Sequence, residues 1–544
     1  MSELFERLQQ HGRRQSTRTA VWRYRRGEFT PTTYEELAAS ARAFANAFGA
    51  QLPEGQIIPM LLARTPDCIA AMLGALGAGC ALSCVNPKLR PPQIERILVG
   101  TKTPIALIDG PGLMALKTAI LAGSPIASVR WWLLRGPQFG KTHERLAAKL
   151  AAIASVEDWD PRQWQDESKS SVRKVEHDVV GCCLFTSGST GTPKGVLISH
   201  GDLEGRAESE SAWFDLRSDD VLLSILPFSF DVGLNQLMSF LWIGCELALL
   251  DSWFSKDIMN AIELRKVTGI SAVPSIWQDF LTKGHALDTA GAHASLRYLT
   301  VSGGALSSRD LDRLPAVAPG AGIYKTYGQT EAFRGSSLRP AEYEARRESV
   351  GRAFQGARIY VVRDDGTPAA PNEKGEVIIT GLGLMSGYLD GNDPENKLRR
   401  NPFTGHADAS ELAIFTGDEG HLDEEGYLYL AGRRDEMVKI QGNRIYPHEV
   451  LEQLAQIEGV AQAEVIPVKH SDDTRLVAFV VGSGSEPPSE ANLMMKMGAL
   501  VPSYMIPSHI VTKQALPLTA SGKPDRPQLA AEAAALLESH HDYV

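Results

Sequence analysis

Val179-Val180-Gly181-Cys182-Cys183-Leu184-Phe185 runs directly into Thr186-Ser187-Gly188-Ser189-Thr190-Gly191-Thr192-Pro193-Lys194-Gly195. The first seven residues form an apolar, β-prone run and read as a buried strand. The ten that follow hold three Gly, three Thr, two Ser and a Lys. Glycines let backbone N–H groups approach anionic oxygens, hydroxyls donate further hydrogen bonds, and an ammonium adds charge, so the segment reads as a phosphate cradle rather than a surface linker. A Walker-type P-loop needs Gly-x-x-x-x-Gly-Lys-Ser/Thr opening a helix. Here Lys194 follows Pro193 and precedes Gly195-Val196, so no hydroxyl is placed beside the lysine to hold magnesium.

Working outward, short apolar runs such as Val221–Ile225 and Glu246–Leu250 alternate with helical segments such as Asp202–Trp213 and Asp257–Lys266. That alternation builds covered, largely parallel sheets, so an α/β class is expected. After Gly432 the texture changes to a strand pair around Gly426–Ile440, a helix opened by Pro447 and running to about Ile457, and strands Ala463–Val468 and Leu476–Val481. The expected organisation is a large N-terminal body of βα layers over 1–431, a hinge at 432–435, and a small mobile α+β domain over 436–544. GSGSEPPSE at 482–490 reads as a loop inside the small domain.

At 544 residues and net charge −10 the chain is multidomain and acidic, which argues against a nucleic-acid surface. Six cysteines are too few and too poorly spaced for a disulfide framework or a four-thiolate metal site, and read as reduced, buried thiols. The charged N-terminus lacks the apolar segment of a signal peptide, so a cytoplasmic location is expected. Cys68–Val85 carries no charge, yet its glycines and Pro87 make it a buried helix passing into a buried strand, not a membrane span.

The loop resembles the signature of the adenylate-forming enzymes, which comprise acyl-CoA synthetases, adenylation domains of nonribosomal peptide synthesis, and luciferase. Further segments resemble that family's motifs in the family's order: Tyr327-Gly328-Gln329-Thr330-Glu331, Thr416-Gly417-Asp418, Gly432-Arg433-Arg434-Asp435 leading to Gly442-Asn443-Arg444, and Ser521-Gly522-Lys523. The resemblance spans nearly the whole chain. It implies ATP-dependent activation of a carboxylic acid to an acyl-adenylate, release of pyrophosphate, and transfer of the acyl group to a thiol.

The same resemblance distributes roles. Thr186, Ser187, Gly188, Ser189, Thr190, Gly191 and Lys194 would face the β- and γ-phosphates of ATP, and Glu331 would hold Mg2+, a hard cation suited to carboxylate oxygen. Ser302, Gly303, Gly304 and Ala305 would wall the adenine, with Tyr327 stacking on it beside Gly328 and Thr330 contacting the α-phosphate. Asp418 and Arg433 would bind the ribose, and Asp435 would be the hinge. Lys523 would enter from the small domain, bridge carboxylate and α-phosphate, and withdraw for the second step; an ammonium on a long stem suits a group that arrives and leaves. The pocket positions are Asp231, Val232, Asn235, Ser271, Thr300, Ser302, Thr326, Arg334 and Gly335. That set is polar and favours a small or medium polar, cyclic or amino acid over a long-chain fatty acid.

In amino-acid-activating members the residue matching Asp231 pairs with the substrate ammonium; here Arg334 is expected close enough to neutralise it, which leans toward an acid without the amine. Gly442 matches a glycine beside the family's pantetheine tunnel and favours a thiol acceptor, either coenzyme A or the phosphopantetheine of a separate carrier protein. Alternatives are an amide ligase passing the acyl group to an amine, a P-loop-like ATPase, and an ATP-binding regulator without chemistry. The competent residues at Lys194, Glu331, Asp418, Arg433 and Lys523 disfavour the last.

Overall fold

The computed structural model describes residues 2–539 except 26, 125, 127–128, 137–138, 166–170, 188–192, 284–294, 394, 404–410, 435, 441–442, 471–472, 485–487 and 520. Gly188, Ser189, Thr190, Gly191, Asp435 and Gly442 therefore lie outside the described residues, as does the side chain of Ser187.

Two large sheets carry the N-terminal body. The first orders its strands as Arg352–Ala353, Ala332–Leu338, Gly322–Gln329, Tyr298–Val301, Gly269–Ala272, Val221–Ser224, Glu246–Leu249, Thr19–Arg25 and Glu28–Thr33. It is parallel from Gly322–Gln329 through Thr19–Arg25 and antiparallel at both edges. The second runs Gly387–Tyr388, Pro193–Ser199, Val180–Ser187, Ala81–Cys84, Ile57–Leu61, Ile105–Ile108, Arg130–Leu133 and Val156–Asp158.

Helices Tyr34–Gln51, Pro66–Gly77, His200–Trp213 and Asp231–Ile243 contribute to one apolar cluster with strand residues of both sheets, among them Leu82, Leu184, Leu222 and Leu247. Such a doubly covered arrangement explains why the strands are continuous apolar runs rather than alternating ones. Two helices show how the boundaries are set. Thr33 closes a capping box with Glu36, and Thr65 accepts from Cys68 N with Pro66 at the first helical position. These two helices meet closely: a Cβ at Gly74 would lie 2.3 Å from Phe44 Cβ. The uncharged stretch 68–85 is thus a helix and the strand Ala81–Cys84, fully interior, and no helix among the described residues is long and apolar enough to cross a membrane. All six cysteines are buried and unpaired.

The α/β reading holds, with two corrections. The strand ending at Phe185 extends to Ser187 and returns antiparallel as Pro193–Ser199, pairing Thr186 with Lys194. The two strands of a hairpin therefore flank the glycine-rich segment; the helix His200–Trp213, N-capped by Ser199, begins only after the return strand. The strands near Gly426–Ile440 are not one pair. Leu428–Arg433 joins a third, antiparallel sheet of the body with Ala357–Val362, Gly375–Gly381, Leu412–Leu422 and Leu398–Arg400, whereas Val438–Ile440 pairs with Asn443–Ile445.

The C-terminal domain sets helices Pro447–Gln456, Glu490–Leu500 and Arg526–Ser539 with a sheet of Val460–His470, Asp473–Gly482 and His509–Lys513. Among the described residues, no apolar cluster combines side chains from both sides of position 435. The seam between the two parts is polar: Ser308 N and Oγ each donate to Glu452 Oε2 at 3.2 Å, and Arg309 Nη2 donates to Val460 O at 2.6 Å.

Candidate active site

The C-terminal ends of neighbouring parallel strands open onto a crevice, the place where open α/β sheets bind ligands. Strands Gly269–Ala272, Tyr298–Val301 and Gly322–Gln329 run in register, with Ser271 opposite Thr300. Helix Asp231–Ile243 starts beside them without a side-chain cap from Phe230, so Asp231, Val232 and Asn235 project from its first turns.

The cavity there is lined by Phe230, Asp231, Val232, Asn235, Ser302, Gly303, Thr326, Gly328, Gln329, Thr330, Phe333, Arg334 and Lys523, and spans about 450 Å³ with its open mouth. Lys523 reaches it from the small domain. Its turn is closed by Thr519, whose backbone N–H donates to Lys523 O at 2.7 Å, and Gly522 adopts φ +84° in that turn. Ser275 Oγ donates to Gly522 O at 2.6 Å, which ties the turn to the body. The ammonium lies 5.3 Å from the Phe230 ring centroid. Gly303, at φ +76°, leaves room for it: a Cβ there would sit 3.3 Å from Lys523 Cε and 3.0 Å from Phe230 Cζ.

The cavity floor is a hydroxyl and guanidinium network. Ser302 Oγ and Thr326 Oγ1 are 2.6 Å apart, and Thr300 Oγ1 lies 3.3 Å from Ser302 Oγ. Arg334 Nη1 donates to Thr326 Oγ1 at 2.6 Å, while its Nε donates to Glu210 Oε2 at 2.9 Å. The expected pairing of Arg334 with Asp231 is thereby corrected. The guanidinium is compensated by a buried carboxylate on helix His200–Trp213, and among the described residues Asp231 forms no ion pair; its Oδ1 accepts from Val232 N at 2.9 Å. Asn235 Oδ1 is buried without a hydrogen-bond partner among the described residues.

A second group of residues adjoins the first. Tyr327 Oη donates to Asp418 Oδ2 at 2.5 Å and Gln329 Nε2 donates to the same oxygen at 2.9 Å. Asp418 sits opposite Arg433 in the strand pairing, with Arg433 Nη1 3.7 Å from its Oδ1. Burial pushes the Asp418 carboxyl above the usual carboxylate range, against the pull of Tyr327 and Arg433. Glu331, 7% exposed, accepts at Oε1 from Tyr388 Oη at 3.0 Å and Lys397 Nζ at 2.9 Å. Lys194, on the return strand of the hairpin, pairs with Glu395 at 2.5 Å.

Most of the residues singled out in the sequence converge here. Among the pocket and adenine positions, Ser271 and Thr300 are buried behind the cavity, Gly304 and Ala305 lie exposed beyond Gly303, and Gly335 faces the third sheet, where a Cβ would lie 2.5 Å from Ile379 Cδ1. Glu210, Tyr388, Glu395 and Lys397 escaped the sequence reading. For Glu210 a signal existed, since its helix carries Glu204, Arg206 and Glu210 in a layer that the βα alternation places between sheets.

A family model of the AMP-binding enzyme matches residues 8–389, and one of the AMP-binding enzyme C-terminal domain matches 449–523. The chain belongs to the AMP-binding enzyme family. This AMP-binding chain is 28% identical over 510 residues to one of the plipastatin synthase proteins of Bacillus subtilis (strain 168), covering 92% of this chain and 18% of that protein. It therefore spans less than a fifth of that relative's length. It is 28% identical over 522 residues to the D-alanine–D-alanyl carrier protein ligase of Lacticaseibacillus casei (strain BL23), covering 93% of this chain and 95% of the relative. Its fold is that of the anthranilate CoA ligase AuaEII solved with anthranoyl-AMP, at TM-score 0.79 and 21% identity over 98% of both chains.

Proposed function

We propose that this AMP-binding enzyme is an ATP-dependent acid ligase. It activates a small carboxylic acid as its acyl-adenylate, releases pyrophosphate, and passes the acyl group to a thiol. The observation that carries this reading is the reach of Lys523 from the C-terminal domain into a cavity whose other walls are Asp231, Thr330 and the Ser302–Thr326 hydroxyl pair. Joining two anions requires cations and oriented donors where charge develops, and a mobile ammonium provides that at the reacting centre.

Around it, Thr186, Ser187, Gly188, Ser189, Thr190 and Gly191 with Lys194 take the β- and γ-phosphates. Ser302, Gly303, Gly304, Ala305, Tyr327 and Gly328 take the adenine, Thr330 the α-phosphate, and Asp418 with Arg433 the ribose. The Tyr327–Asp418 bond supports this, since it places an acceptor carboxylate beside an aromatic face. Glu331 suits Mg2+, because its Oε1 is bonded while Oε2 has no protein partner among the described residues. The cation would supply charge neutralisation to the departing pyrophosphate. Residues 1–431 form the adenylating body and 436–544 the domain that rotates about Asp435.

The acid is a small amino acid. Arg334 is paired with Glu210 and Asp231 forms no ion pair among the described residues, so Asp231 is a cavity carboxylate to which an α-ammonium is the complementary group. Lys523 then faces the carboxylate of the same zwitterion. A likeness over 95% of a D-alanine–carrier ligase favours the phosphopantetheine thiol of a separate carrier as acceptor, with coenzyme A the other thiol.

Exchange of labelled pyrophosphate into ATP, run over matched acids with and without an α-amino group, tests the reading. Exchange driven by amino acids is expected. No exchange with any carboxylic acid would overturn the adenylation reading, and a preference for desamino acids would overturn the ammonium.

A further inference from the structure

Two members of one ionic cluster, Lys397 and Glu395, have no part in the scheme above. Lys397 leads the edge strand Leu398–Arg400 of the third sheet, and its backbone is fixed by Phe415 N donating to Lys397 O at 2.8 Å. The side chain is 10% exposed, yet its ammonium lies 2.9 Å from Glu331 Oε1 and 3.5 Å from Glu395 Oε2. Glu395 in turn holds Lys194 at 2.5 Å, and Tyr388 Oη donates to the same Glu331 oxygen. Two ammonium groups and two carboxylates thus close a neutral chain that runs from the hairpin to Glu331.

We propose that Lys397 is a resident counter-cation for Glu331, which keeps this carboxylate from binding a free divalent cation and couples metal binding to nucleotide binding. The proposal rests on the reading of Glu331 as the magnesium carboxylate. A carboxylate as enclosed as Glu331 is costly to leave uncompensated, and Lys397 supplies the compensation when no nucleotide is present. A divalent ion arriving alone has to compete with an ammonium already in contact. It would also find few other ligands, since among the described residues no three His, Cys, Asp or Glu side chains group as a metal site. An ion arriving on a triphosphate brings phosphate oxygens with it and needs only one carboxylate from the protein. Lys397 is therefore a positioning residue that acts through Glu331.

The test uses the full chain and Mn2+ as probe, with bound and free metal separated by electron paramagnetic resonance. Nucleotide-free wild type is expected to bind Mn2+ without saturation in the range where it saturates with Mn-ATP. Lys397→Met should tighten binding of Mn2+ alone by about tenfold or more, because a contact ammonium is removed from a poorly solvated carboxylate. Lys397→Arg should behave as wild type, and Glu331→Gln combined with Lys397→Met should erase the gain. Equal Mn2+ affinity in wild type and Lys397→Met overturns the proposal. So does saturable binding of free Mn2+ to wild type that Glu331→Gln removes, a result that needs no variant at 397. If Glu331→Gln leaves Mn-ATP affinity unchanged, it is the reading of Glu331 that fails.

Discussion

Arg334 Nε lies 2.9 Å from Glu210 Oε2, with 5% and 2% of the two side chains exposed. The contact joins the end of the nucleotide motif to the helix that follows the hairpin, and it engages the arginine that the sequence set against Asp231.

Breaking this pair should be expensive. Glu210→Gln and Arg334→Met are each expected to lose about 3–5 kcal/mol of stability, because each leaves a buried charge without its partner, whereas Glu210→Leu with Arg334→Met should regain most of it. Urea unfolding of the three variants checks this; a loss in the double variant equal to the sum of the two single losses would show the pair to be energetically idle.

Asp231→Ala should abolish exchange driven by an α-amino acid while sparing that of its desamino counterpart. The expected discrimination is about 3–5 kcal/mol, the cost of burying an ammonium without its carboxylate. A uniform loss with both acids would assign Asp231 to the fold of the helix start instead.

Lys523→Ala is expected to slow adenylate formation about 10²–10³-fold while leaving transfer from preformed adenylate nearly intact. Single-turnover measurements of each half-reaction distinguish this from a structural role, in which both would fall together.

His200 is the first residue of the helix after the hairpin and is 2% exposed; burial lowers its pKa to about 4. The folded value lies below the unfolded one, so the unfolded chain binds the extra proton as pH falls from about 6.5 to about 4. Stability from this residue is complete above about pH 6.5 and declines through that window by roughly 3 kcal/mol. His200→Gln should flatten the decline, as read by denaturant midpoints at pH 7, 6, 5 and 4.

Deleting residues 436–544 should leave a cooperatively folding body that binds nucleotide, since its clusters draw on no side chain beyond 435 among the described residues. Calorimetry with and without ATP checks this; loss of a cooperative transition would refute it.

The sequence disclosed the local chemistry well and the partnerships poorly. The apolar run 179–185, the Pro447 helix start and the strands near 463–468 and 476–481 follow from propensity and periodicity that a single segment carries. That Pro193–Ser199 returns as a strand, or that Leu428–Arg433 belongs to the body, depends on pairing with distant residues that no local pattern encodes. The same holds within the site. Tyr327, Glu331, Asp418 and Lys523 stand in recognisable strings, but Glu210 and Lys397 sit in ordinary-looking charged stretches and gain meaning only from what the fold sets against them.

The polar seam between body and C-terminal domain has a kinetic meaning. Ser308, Arg309 and Ser275 hold the small domain by hydrogen bonds that water can replace one for one, and among the described residues no shared apolar core needs to be prised open. The proposed rotation of the domain would thus be an exchange of partners with solvent, not a partial unfolding, on the microsecond-to-millisecond scale of hinge motions. With so low a barrier, the resting angle of the proposed rotation would follow whichever ligand occupies the crevice.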